Sequence, residues 1–173
     1  MPIHSPFPKP KLLIFDVNET LLDLSLMKAR MNEIFNHEFA FDKWFSLLLQ
    51  YSLVDNQTLQ YHNFGDIGKA AFQMTEQVLE RKVSDKDAQE ALQMIRRLPP
   101  HPDIIEGLEM LKKGGYKMVT LTNSTGEVVK EQMKNAGLTE NFEALMSIDE
   151  IRKYKPAPET YKTVVNKFIE ISI

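Results

Sequence analysis

The sequence predicts an α/β fold, a Rossmann-like three-layer α/β/α parallel sheet carrying an inserted helical cap. Three observations lead there. Short apolar runs stand at residues 11–15 (KLLIF), 117–121 (KMVTL) and 143–147 (EALMS), the pattern of strands buried on both faces of a parallel sheet. Helical stripes alternate with them in the second half of the chain. A long helical stretch without strand-like alternation separates the first run from the rest.

Taken in order, residues 1–10 hold four prolines and no apolar signal core, so they read as an extended tail of a cytoplasmic protein. The core then comprises residues 11–23 and 99–173, and residues 24–98 form the cap. Within the cap, Ile67, Ala70, Ala71, Met74, Val78 and Leu79 make one helical stripe, and Ser84 with Asp87 make a capping box for its last helix. The run LPPHP at 98–102 breaks the helical pattern and returns the chain to the sheet. Ile104, Ile105, Leu108 and Leu111 form the next stripe, stopped by Gly114 and Gly115. Val128, Val129, Met133 and Ala136 form another, stopped by Gly137, which completes a βαβ unit with the second and third runs.

Composition narrows the chemistry. A chain of 173 residues buries one core with room for an insertion. With no cysteine, disulfides, thiolate metal sites and a thiol nucleophile are excluded. The net charge of -3 and scattered lysines give no nucleic-acid footprint, and no apolar run is long enough for a membrane span. The histidines have no ligand spacing, so no metal site is expected from them. A small molecule is the expected partner.

In a parallel sheet the carboxyl ends of the strands face one crevice. Asp16 ends the first run, Thr122 and Asn123 end the second, and Lys155 follows the third in RKYKPAPETY. Alone, Asp16 is as well a turn residue, Thr122 and Asn123 helix caps, and Lys155 a surface lysine. Together they form a reactive set. A carboxylate attacks an electrophilic centre and forms an ester that water cleaves. An ammonium beside it keeps it charged and oriented, while hydroxyl, amide and the backbone N–H groups of the helix starting near Gly126 serve substrate oxygens or a leaving anion.

The segments FDVNETLLDL, VTLTNST and YKPAPETY, in this order, resemble the haloacid dehalogenase superfamily, and within it the type II 2-haloacid dehalogenases. The resemblance covers about residues 11–161. It implies Asp16 as nucleophile, Thr122, Asn123 and Tyr161 as substrate contacts, Lys155 as stabilising cation, and a structural hydrogen-bonding role for Asp23. Asn18 stands where the superfamily's phosphatases carry an acid/base aspartate, which disfavours phosphomonoester hydrolysis; it is taken as a substrate contact. Phe45 follows Trp44 where the dehalogenases place an arginine, and is taken as a substrate contact too. Arg30, Arg81, Arg96 and Arg97 lie elsewhere in the cap.

The family's fourth strand and fourth motif are missing, so the core reads as truncated at its C-terminus. The exposed edge of the first strand then calls for cover from Phe168–Ile173 or from a second copy in a homodimer. The reading is a 2-haloacid dehalogenase-like hydrolase needing no cofactor. Its alternatives are a Mg²⁺-dependent phosphatase and an inactive binding or oligomerising module.

Overall fold

The computed structural model describes residues 8–169. Strands β1 (Leu13–Phe15), β2 (Met118–Thr122) and β3 (Ala144–Ser147) form a parallel sheet in the order β1-β2-β3, with Leu13 opposite Met118 and Val119 opposite Ala144. Strand β2 is buried along its whole length. The expectation that the first run is buried on both faces is corrected: all of β1 is only partly buried. It is an edge strand among the described residues, so one flank lacks the neighbour that covers β2.

The cap contains α1 (Ser25–Phe35), α2 (Ala40–Thr58), α3 (Phe64–Leu79) and α4 (Asp85–Gln93), followed by a 3-10 turn at Met94–Arg97. Helix α1 starts where Asp23 Oδ1 accepts from Ser25 N at 2.8 Å and Ser25 Oγ at 2.5 Å, the structural role expected of Asp23. The Asp23 carboxyl lies below the ordinary aspartate range because Ser25 donates to its charged form. Ser84 caps α4 by accepting from Asp87 N at 3.1 Å, as the capping box requires. In α3 the buried face is rotated from the expected stripe. Ile67, Gly68, Ala71, Phe72 and Thr75 are buried and Val78 is 56% exposed. Gly68 and Phe72 select that face because Trp44 of α2 donates to Gly68 O at 2.9 Å and Phe72 packs on Phe35 of α1.

Two chain crossings join cap to core side by side. Asp23 N donates to Pro99 O at 2.8 Å and His101 N to Leu21 O at 3.1 Å, pairing the exit and return segments. Beyond them, α5 (Ile104–Lys113), α6 (Gly126–Asn135) and α7 (Pro158–Phe168) belong to the core. Gly115 and Gly137 take positive φ values of 69° and 71° at the ends of α5 and α6, which a residue with a Cβ adopts only under strain. Of the segment expected to cover the edge of β1, Phe168 ends α7 and Ile169 is its C-cap; residues 170–173 lie outside the described residues.

A second connection fixes the cap. Asn56 near the end of α2 brackets the main chain of Tyr154, its Nδ2 donating to Tyr154 O at 2.9 Å and its Oδ1 accepting from Tyr154 N at 2.8 Å. The Tyr154 ring is fully buried, stacks on Tyr61, and donates its hydroxyl to His62 O. Replacing Asn56 with Ala strands both main-chain groups, so Asn56→Ala is expected to lower stability by about 1–3 kcal/mol in urea unfolding.

Candidate functional site

Asp16 follows β1 directly, and its Oδ1 accepts from Val17 N at 2.8 Å and from Lys155 Nζ at 2.7 Å. The same Nζ donates to Leu121 O at 2.7 Å, so the main chain of β2 holds the ammonium from one side and the carboxylate from the other. The lysine side chain is 14% exposed and that of Asp16 49% exposed, so the pair faces solvent through the acid. Among the described residues Asp16 Oδ2 accepts no hydrogen bond. One carboxylate oxygen is therefore fixed and the other is free.

Asn123 accepts from Lys155 N at 2.9 Å through Oδ1, which ties the loop carrying the lysine to the end of β2 and leaves its Nδ2 group directed elsewhere. Thr122 is 1% exposed and its Oγ1 accepts from Ser124 N at 3.1 Å. The N-cap of α6 is Thr125, which accepts from Val128 N at 3.3 Å. Asn18 donates to Ser124 Oγ at 3.1 Å and accepts from Gln132 Nε2 at 2.9 Å. Asp16, Asn123 and Lys155 are thus joined by hydrogen bonds, and Asn18 extends toward the cap. Tyr161 stands on the first turns of α7, 40% exposed, and no hydrogen bond among the described residues links it to this group.

A cleft of ≈ 570 Å³ opens between cap and core. Asn18, Ser124, Thr125 and Asp149 line it from the core, and Trp44, Phe45, Leu48 and Phe64 from the cap. Phe45 is held by stacking on Phe41 at 5.7 Å between centroids. Asp16, Thr122, Asn123, Lys155 and Tyr161 are not on this lining; the turns that follow Asp16 and Asn123 reach it through Asn18 and Ser124. Its charged rim carries Asp66, Lys69, Arg96, Glu127 and Asp149. Arg96 is committed to α6, donating to Glu127 at 2.8 Å and Glu131 at 2.5 Å, and its guanidinium is held more basic than usual by those two carboxylates.

One expectation is corrected. Two of the backbone amides at the start of α6 are already engaged within the chain: Gly126 N donates to Asp149 Oδ2 at 2.8 Å and Val128 N to Thr125 Oγ1 at 3.3 Å. A carboxylate from the chain itself fills the helix N-terminus, where the dipole favours it. Asp149, Ser124 and Gln132 were not singled out from the sequence as site residues. For Gln132 a signal existed, since it falls four residues from both Val128 and Ala136 on the apolar stripe, where an amide must find buried partners.

The chain belongs to the haloacid dehalogenase-like hydrolase family, whose model matches residues 13–170. It is 27% identical over 156 residues to the (S)-2-haloacid dehalogenase of Xanthobacter autotrophicus, covering 89% of this chain and 61% of that protein. With (S)-2-haloacid dehalogenase 4A of Burkholderia cepacia it shares 29% identity over 153 residues, covering 86% of this chain and 65% of the relative. The structure of the Xanthobacter L-2-haloacid dehalogenase with chloropropionic acid covalently bound superimposes with a TM-score of 0.81 at 26% identity, covering 91% of this chain and 64% of that one. The chain thus spans under two thirds of the length of each.

Behind the cleft, Tyr61 donates its hydroxyl to Asp149 Oδ1, and Arg152 lies 5.2 Å from the Tyr61 ring centroid. Burial, then the bond to Asp149, pushes the Tyr61 phenol well above the ordinary tyrosine range. Burial, then the negative field of Tyr61, Asp55 and Asp149, does the same to Tyr154. Since both folded values are raised, the associated stability is present below the unfolded value of about 10 and is lost as pH rises through the folded ones. Ultraviolet titration checks this: Tyr61→Phe is expected to remove none of the tyrosinate absorbance that develops in the folded protein up to about pH 11.

Proposed function

We propose that the protein is an aspartate-dependent hydrolase of the 2-haloacid dehalogenase type, acting on a small molecule at carbon. Asp16 Oδ2 attacks the carbon bearing the halogen; the C–O bond forms as the carbon–halogen bond breaks, and the halide leaves with the bonding pair. Water then adds to the carboxyl carbon of the resulting ester. The alkoxide leaves with one proton of that water, the other proton passes to solvent, and the Asp16 carboxylate is restored with the water's oxygen in it. Lys155 holds Oδ1 and directs Oδ2 outward.

The observation that carries this reading is the fixed and free pair of oxygens on Asp16, with Lys155 Nζ at 2.7 Å from the fixed one. Support comes from the Xanthobacter structure, whose name records a covalently bound chloropropionic acid. Halide leaves as an anion and asks for no proton donor, which suits Asn18, an amide already bonded at both ends. The route draws on no metal. Phosphate-ester hydrolysis with Mg²⁺ is the alternative, and it lacks an acid at position 18.

Halide release from 2-chloropropionate tests the reading. Wild type is expected to release chloride and Asp16→Asn to release none; release that survives in the variant sinks the nucleophile. Lys155→Met is expected to lower kcat on the order of 100-fold, the scale of losing one fixed donor at a reacting anion. A panel of phosphate esters with and without Mg²⁺ is expected to give no turnover, and turnover there moves the reading to the phosphatase.

A further inference from the structure

We propose that Ser124 Oγ is a hydrogen-bond donor to the carbonyl or carboxylate oxygen of the substrate, with its direction set by Gln132 and Asn18. This deepens the proposed function and rests on it in one respect, that substrate occupies the cleft lined by Ser124.

The direction of the chain of hydrogen bonds is fixed at its far end. Gln132 is fully buried in α6, and its Nε2 lies 2.7 Å from the main-chain oxygen of Ile95 in the turn leaving the cap. A carbonyl only accepts, so the atom facing it must be the amide nitrogen. The same nitrogen donates to Asn18 at 2.9 Å, so the Asn18 atom there must be oxygen. The Asn18 nitrogen then faces Ser124 Oγ at 3.1 Å and donates to it. Ser124 Oγ accepts that bond, and its own hydrogen is left to donate elsewhere; among the described residues it meets no acceptor.

Two further observations bear on this. Gln132 Oε1 is buried without a partner. An orphaned amide oxygen is costly, yet turning the amide over would set oxygen against the Ile95 carbonyl and reverse every bond downstream. The orientation is kept at the expense of that oxygen. Secondly, Ser124 cannot swing away: its N is bonded to Thr122 Oγ1 at 3.1 Å, its O accepts from Ser147 Oγ at 2.6 Å, and the residue is 3% exposed while lining the cleft. A hydroxyl on a residue whose main chain is held at both ends, with an amide donating to its oxygen, is a preorganised donor.

Two probes, propionate and propionamide, are titrated into the protein by NMR beside turnover of 2-chloropropionate. Ser124→Ala is expected to weaken both probes roughly ten-fold or more, the scale of one buried hydrogen bond to a charged or strongly polar acceptor. Asn18→Asp places an acceptor before Ser124, captures its hydrogen and turns the hydroxyl from donor to acceptor. It is expected to weaken both probes, whereas simple charge repulsion would weaken propionate alone. The double variant is expected to be no worse than Asn18→Asp. Unchanged affinity in Ser124→Ala overturns the donor assignment even if 2-chloropropionate is turned over. Weakened probes without turnover in the wild type uphold the donor and reject the dehalogenase reading, and failure of the wild type to bind either probe rejects both.

Discussion

An ammonium and a carboxylate 139 residues apart in the chain meet at 2.7 Å, and the candidate site is organised around that contact. Lys155 is largely withdrawn from water, so its charge must be answered locally. Asp16 supplies the counter-charge and Leu121 O a third contact. The contact exists only if β1, β2 and β3 run parallel in adjacent positions, because then three separate strand ends open on one side. Losing Asp16 would leave the withdrawn ammonium uncompensated beside the sheet, which makes the pair a structural tie as well as the centre of the candidate site.

The cap is fixed to this core by polar contacts on two fronts. On one, Glu127, Glu131, Gln132 and Asn135 of α6 hold the side chain of Arg96 and the carbonyls of Ile95 and Arg96 in the return turn. On the other, Asn56 and Tyr61 of the cap hold Tyr154 and Asp149 in the loop after β3. Tyr154 immediately precedes Lys155, so the cap reaches the position of the ammonium through one peptide unit. The cleft and the Asp16–Lys155 pair are therefore positioned together. A lid attached by its two crossings alone would leave them to vary separately.

The cleft itself combines an aromatic wall with polar groups of defined direction. Phe45, Trp44 and Phe64 supply apolar contact, while Ser124 and Asn18 present fixed dipoles from the core. In such surroundings each hydrogen bond counts for more than at an open surface. The negative groups at the rim are engaged: Asp149 by Gly126 and Tyr61, Glu127 by Arg96, and Asp66 by Asn63.

The strands, the helical insertion, and Asp16, Asn123 and Lys155 as strand-end neighbours were legible in the sequence. Their signals are local, in apolar runs, glycine stops and a turn aspartate, and parallel topology then dictates where the ends point. The partial exposure of β1, the rotated face of α3 and the carboxylate at the N-terminus of α6 were not legible, because each depends on which neighbour packs there: on one flank of β1 none among the described residues, for α3 Phe35 and Trp44, and for α6 Asp149. The amides of Asn18, Asn56 and Gln132 belong to the same class. Sequence alone determined that this chain builds a parallel α/β core with a carboxylate and an ammonium at adjoining strand ends; only the tertiary structure decided which way each buried hydrogen bond runs, since direction passes from one partner to the next and begins at a carbonyl that can only accept.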